Sequence, residues 1–327
     1  MKLRYFTTIL SLILLMFVLS ACSGQKASTE TSHQDTVTVK HDLGETKVPK
    51  NPKKVVVLEL GFIDALVDTG IKPVGVADDG KPMFINEKVR EEIKGYTSVG
   101  TRAQPSLEKI AALKPDLIIA DSSRHSGVYD KLSKIAPTIA LKNLNADYQD
   151  TLDASATIAK AVGKESEMEK KLAQHNEKLT SLQDKFSNQK QSILLIGNTN
   201  EEITVRDENF FTSQLLTKIG YTYGVGDSQK SDAANGESVN IKMTIEQLLE
   251  KDPDVIILMT GEKDKLDKDG KREIEKDPLW QKLNAVKNHK VYEVDRFAWS
   301  LRRSVNGANA VIDEIDQHIL PAAEKKS

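Results

Sequence analysis

The chain has 327 residues, with 46 Lys and Arg against 48 Asp and Glu and a formal net charge of −2. This balance excludes the broad basic face that nucleic acid requires, and a single Cys excludes any internal disulfide framework. Aromatic residues make up only 5% of the chain, which weighs against a large flat macrocycle as ligand.

The first residues set the compartment. Lys2 and Arg4 precede an apolar run from Tyr5 to Leu19. The run is shorter than the ~20 residues of a membrane-spanning helix and closes on small residues, the pattern of a secretion signal over residues 1–21. Its end, Leu19-Ser20-Ala21-Cys22, resembles the lipobox of bacterial lipoproteins. That resemblance implies cleavage before Cys22 and a diacylglycerol on its sulfur. Acylation would also protect the one thiol of the chain, which would otherwise be reactive outside the cell. Residues 22–35 are small and polar and cannot bury enough surface to fold, so they are predicted to be a flexible tether. Removal of Lys2 and Arg4 takes the charge from −2 to about −4, and roughly 290 residues remain, enough for two lobes.

From Thr36 the pattern becomes regular. Thr36-Val37-Thr38-Val39 alternates like a strand. Val55-Val56-Val57-Leu58 is a continuous apolar run suited to a buried parallel strand. Phe62, Ile63, Leu66 and Val67 follow at helical spacing, and Gly70 closes that helix. Pro73-Val74-Gly75-Val76 begins another strand. Ser106 caps a short helix that ends near Lys114, and Pro115-Asp116 leads into the strand Leu117-Ile118-Ile119-Ala120. The alternation of strand and helix predicts an α/β domain with a parallel sheet.

The second half repeats this plan. Ile193-Leu194-Leu195-Ile196 is a strand, and Phe211, Leu215, Leu216 and Ile219 mark a helix ending at Gly220. Thr244-Ile245-Glu246 then precedes Pro253-Asp254-Val255-Ile256-Ile257 with the same offsets as Ser106-Leu107-Glu108 before Pro115-Asp116-Leu117-Ile118-Ile119. The repeat predicts two similar lobes, over residues 36–163 and 188–327. Between them, residues 164–187 contain neither Gly nor Pro and place Met168, Leu172, Leu179, Leu182 and Phe186 on one helical face. A helix of this length, about 33 Å, would join the lobes once and leave a cleft between them.

These segments resemble the siderophore- and cobalamin-type substrate-binding proteins of ABC importers. The resemblance is carried by Val55-Val56-Val57-Leu58-Glu59, Gly70-Ile71-Lys72-Pro73-Val74-Gly75-Val76, the run from Leu107 to Ile119, and the run from Trp280 to Val294. It covers nearly everything after the tether. It implies two Rossmann-like lobes bridged by one long helix, and a role in binding and delivery, not catalysis. The segments Ala77-Asp78-Asp79-Gly80-Lys81, Tyr96 to Arg102, and Ala120-Asp121-Ser122-Ser123-Arg124-His125 are more similar to Gram-positive receptors for citrate-based siderophores, of the ferric citrate and staphyloferrin A type. No Gly-x-Ser-x-Gly, His-Glu-x-x-His or Gly-x-x-x-x-Gly-Lys-Ser/Thr motif suggests an enzyme.

Arginine is scarce, with eight residues after the signal, while lysine is abundant and scattered. Arginine is the residue for bidentate binding of carboxylates. Ligands of parallel sheets bind at the carboxyl ends of strands, and Arg102, Arg124, Arg206 and Arg296 each follow a strand-like run. With one or both of Arg302 and Arg303, they are predicted to line a positive cleft for an anionic ligand that itself carries Fe(III), with no intrinsic cofactor and no direct protein ligand to the metal. His125 follows Arg124 and could donate to the ligand or reach the iron. Tyr221 and Tyr223 could supply phenolates or simply pack. Arg90 and Arg272 lie among Glu91, Glu92 and Glu273 and are expected to be solvated helix charges. Glu108 and Glu246 sit in first helical turns, where an acid suits the dipole; the resemblance implies that they also dock to the permease pair, with an ATPase behind it. The expected protein is a monomer, lipid-anchored on the extracytoplasmic face. Replacing Cys22 with Ala is expected to move the protein from the membrane to the soluble fraction; a variant held at the membrane as firmly as wild type would place the anchor elsewhere.

Overall fold

Largely apolar runs build the centre of the first sheet. The structure is a computed structural model that describes residues 35–186, 190–199, 202–225, 240–261 and 266–320; the signal, Cys22 and the tether up to Gln34 lie outside the described residues. An antiparallel hairpin, β1 (Thr36–His41) and β2 (Gly44–Pro49), comes first. Then β3 (Val55–Val57), β6 (Leu117–Asp121) and β7 (Thr138–Leu141) are buried at every position, as strands covered on both faces must be. With β4 (Gly75–Val76) and β5 (Thr97–Ser98) they form an all-parallel sheet in the order β5-β4-β3-β6-β7. The chain order reverses between β3 and β6, which makes their carboxyl ends the switch point of this lobe. Its helices are α1 (Leu60–Asp68), α2 (Glu87–Glu92), α3 (Leu107–Leu113), α4 (Tyr129–Ile135) and α5 (Tyr148–Ala161).

Helix α6 (Glu165–Phe186) has 22 residues and links two cores. Met168 at its start packs in the core of the first lobe, with Leu172 against it. Leu179, Leu182 and Phe186 at its other end belong to the core of the second. At its middle, the buried His175 contacts the hydroxyl of Tyr148 through Nε2 at 2.5 Å and Asn309 Oδ1 through Nδ1 at 2.6 Å. The helix therefore has side-chain partners in both lobes.

The second sheet is mixed. It contains β8 (Ser192–Thr199), β9 (Glu202–Arg206), β10 (Thr222–Tyr223), β11 (Asn240–Met243), β12 (Val255–Thr260) and β13 (Val291–Asp295), in the order β11-β9-β8-β12-β13 with β10 beside β8. Strands β8, β12, β13 and β10 run parallel, but β9 turns back from β8 and pairs antiparallel with it and with β11. Around it lie α7 (Phe211–Ile219), α8 (Ile245–Lys251), α9 (Asn284–Lys287) and α10 (Val305–Glu314). No helix among the described residues is long and apolar enough to cross a membrane.

The internal repeat has a physical basis. Ser106 and Thr244 accept hydrogen bonds from the N3 amides Lys109 and Gln247, capping α3 and α8. Both helices end on a left-handed residue, Lys114 (φ 50°) and Asp252 (φ 38°), immediately before the proline. The Asp that follows each proline then ties down the first strand of its own sheet. Asp116 Oδ2 accepts from the amides of Lys53 and Lys54, and Asp254 Oδ2 accepts from the amide and hydroxyl of Ser192. Asp254→Ala is expected to lower stability by about 1–3 kcal/mol, because it leaves part-buried donors at β8 unpaired. Chemical denaturation would show this as a lower midpoint with an unchanged slope; an unchanged midpoint would show that the bonds contribute nothing.

Candidate ligand-binding site

The two lobes meet where the segment before α10 crosses α1. A Cβ on Gly61 of α1 would overlap the Arg303 carbonyl oxygen and Asn143 Nδ2, so only glycine allows this approach. Arg303 Nε donates to Asn143 O at 2.6 Å, and Asn143 Nδ2 donates to Arg303 O at 3.3 Å. Ser304 Oγ caps α10 and donates to the buried Asp64 of α1 at 2.7 Å. Burial pushes the Asp64 carboxyl up to about 6, opposed by that hydrogen bond. Phe84 and Phe297 close the contact with ring centroids 4.4 Å apart.

A set of guanidinium groups gathers beside this crossing. Arg124 follows β6, and its Nε lies 2.5 Å from Glu59 Oε1. Glu59 ends the apolar run of β3 and is fully buried. Arg102 follows β5; its Nη1 lies 3.8 Å from Glu59 Oε2, while its Nε and Nη2 donate to Asp79 at 2.9 and 2.6 Å. Burial raises the Asp79 carboxyl, but the hydrogen bonds from Arg102 outweigh it and hold the group below its ordinary range. Arg303 is 5% exposed and its Nη1 donates to Ser300 O at 2.7 Å. Ser300 Oγ in turn accepts from Arg206 Nη2 at 2.7 Å. Ser300 thus joins Arg206 to Arg303, and Arg303 reaches across to Asn143 in the first lobe.

The two sides differ in charge compensation. Arg102 and Arg124 have carboxylate partners. Arg206, Arg296 and Arg303 have none within ion-pair distance among the described residues. Burial pulls Arg303 down to about 10, with Glu59 opposing and Arg102 and Arg124 reinforcing. Burial likewise pulls Arg206 down to about 10, with Arg296 and Arg303 adding repulsion.

Arg206 reaches this set by another route than the strand-end rule assumes. It ends the antiparallel β9, and its long side chain, lying over the Phe210 ring, carries the charge to Ser300. Arg296 follows β13 and is exposed near Gly261. Arg302 lies apart from the set. Its Nε donates to Phe84 O at 3.3 Å, and it lines a separate polar recess of about 580 Å³ with Asp64, Asp68, Lys171, Asn306 and Asp313.

His125 turns inward. It is fully buried, its Nδ1 accepts from the Asp121 amide, and its Nε2 donates to Arg102 O, each at 2.8 Å. Both ring nitrogens are occupied by backbone, and burial pushes the imidazole below its ordinary range. The expected contact with ligand or iron is corrected to a bracket between the loops that carry Arg102 and Arg124. Tyr221 and Tyr223 are buried; Tyr221 packs on Phe186, Tyr223 donates to Arg206 O, and burial raises both phenols. Arg272, expected to be solvated, is 4% exposed and forks onto Glu293 at 2.8 and 3.0 Å. Glu59 joins the site as well: it stands directly after an apolar strand-forming run, the same sequence signal that marks Arg124. Among the described residues, no group of three or more His, Cys, Asp or Glu side chains could hold a metal ion.

Two α/β lobes, joined by one helix and presenting cations from both sides of their junction, define a bilobal binding protein. Residues 55–296 match the periplasmic binding protein family, and the chain belongs to it. It is 64% identical over 321 residues to YhfQ of Bacillus subtilis, named provisionally as an ABC transporter substrate-binding lipoprotein, covering 98% of this chain and 99% of that one. It is 37% identical over 311 residues to the Fe(3+)-citrate-binding protein YfmC of the same organism, covering 93% of each. The crystal structure of Staphylococcus aureus SirA complexed with staphyloferrin B superposes with a TM-score of 0.74 at 27% identity, covering 86% of this chain and 97% of that one.

Proposed function

We propose that this chain captures an anionic iron(III) complex of the ferric citrate or citrate-based siderophore class and delivers it to an ABC permease. The observation that carries the ligand class is the buried Arg303, joined through Ser300 to Arg206 and without a carboxylate partner among the described residues. Outer carboxylate oxygens of such a complex accept from guanidinium groups in the bidentate manner, and the iron stays inside its own chelator as cargo. The names of YfmC and of the SirA complex point to the same ligand class. The protein works by binding and release, without turnover, as a monomer held at the extracytoplasmic face by acylated Cys22.

Glu108 and Glu246 support delivery. Both are exposed, and each follows its cap residue by two positions in the matched frames of α3 and α8. One acid per lobe gives a two-fold permease two points to grip.

Arg124→Ala is expected to weaken ferric dicitrate binding at least tens-fold, since loss of one partner of a desolvated charge pair costs about 2–5 kcal/mol. Arg302→Ala is expected to stay within about two-fold of wild type, as for a position outside the site. Calorimetric titration decides, and wild-type affinity in Arg124→Ala would remove that residue from the site. For docking, single Glu→Ala changes are expected to reduce cellular uptake partly and the double change much more, with affinity in solution retained. Exposed pairs contribute only about 0–1 kcal/mol each, so two points gain by acting together. Normal uptake by the double variant would exclude docking through these acids.

A further inference from the structure

Two buried carboxylates stand beside the arginine set, and they are stabilised in different ways. Asp121 accepts four backbone amides: Ser123 and Arg124 on Oδ1, Asn143 and Leu144 on Oδ2, at 2.7–2.9 Å. Those donors belong to the backbone and stay in place whatever enters the cleft. Glu59 receives none. Its two oxygens are buried, and its support is the guanidinium charge of Arg124 at 2.5 Å and Arg102 at 3.8 Å, with Arg303 beyond them.

The support is therefore shared with the ligand. The groups facing Glu59 are Arg102, itself held by Asp79, from the loop after β5; Asp121, Arg124 and the neutral His125 from the end of β6; and Arg303 from the segment before α10. An anion that engages Arg124 and Arg303 takes over the positive charge on which ionised Glu59 depends. A carboxylate left buried without compensation becomes neutral, because an unpaired charge in a dry site is far costlier than a protonated acid.

We infer that Glu59 is the internal counter-ion of the empty cleft, and that capture of an anionic ligand moves a proton from solvent onto its carboxylate. Ionised Glu59, one solvent proton and the free anion give neutral Glu59 and the bound anion; release reverses each change. Burial holds the Glu59 carboxyl above its ordinary range, with Asp121 adding to it, while Arg124, Arg102 and Arg303 pull it back down. Withdrawal of the arginine contribution therefore favours the protonated form.

The inference rests on the anionic ligand proposed above, and the experiment separates the two. Ferric dicitrate is titrated into wild type, Glu59→Gln and Glu59→Asp by calorimetry, in buffers of different ionisation enthalpy, from pH 5 to 8. Protonation of the probe itself cancels between proteins. Wild type and Glu59→Asp are expected to take up more protons per ligand than Glu59→Gln. The ratio of wild-type to Gln-variant Kd should rise with pH, by up to about ten-fold per pH unit where one proton is taken up, and approach a constant in acid. Equal proton counts and a flat ratio would overturn the role of Glu59 and leave the ligand class standing. No binding of ferric dicitrate to wild type would overturn both. Should the Gln variant fail to fold, difference infrared spectra of wild type carrying carbon-13 glutamate decide instead: a new protonated carboxyl band on loading supports the inference, and its absence overturns it.

Discussion

The buried guanidinium of Arg303 is the constraint on which the rest of the architecture depends. It spans the junction, donating to Asn143 O in the first lobe and to Ser300 O in the second. Carbonyl oxygens accept from its Nε and Nη1 but do not cancel its charge. The same group therefore ties the two lobes together at the junction and keeps its charge there. Gly61 is a consequence: α1 must come against the Arg303 backbone for this geometry to exist, and a Cβ there would prevent it.

Charge compensation follows the division into lobes. The first lobe carries its own acids, Glu59 and Asp79, and holds Arg102 and Arg124 in ion pairs before any ligand arrives. The second supplies Arg206, Arg296 and Arg303, which have no carboxylate within ion-pair distance among the described residues. Pairing limits repulsion among neighbouring cations and fixes their side chains, so less conformational freedom is lost on binding. The cations of the second lobe add positive charge beside these pairs.

The scaffold uses one device twice. In each lobe a capped helix, a left-handed terminal residue, a proline and an aspartate deliver the chain into a buried strand, and the aspartate pins the first strand of that sheet. The duplicated device leaves an exposed acid near each helix start. The sheets themselves are not copies. In the second lobe β9 turns back antiparallel along β8, and this brings Arg206 toward Ser300 from the side.

Much of this was legible in the sequence because it depends on local patterns. Continuous apolar runs specify buried strands, cap residues and glycines specify helix ends, and an uninterrupted apolar face over 22 residues specifies the connecting helix, whatever surrounds them. The scarcity of arginine and its position after strands pointed to an anionic ligand for the same reason. Tertiary structure alone decided the partners of each charge. Nothing local distinguishes Arg302 from Arg303, yet one lines a separate recess and the other reaches across to Asn143. Nothing local shows that His125 uses both nitrogens on backbone, or that Arg272 is buried against Glu293. Ion pairs join residues far apart in the chain, such as Glu59 and Arg124, and depend on side-chain direction within a few ångströms, which strand order and lobe packing set and residue order does not.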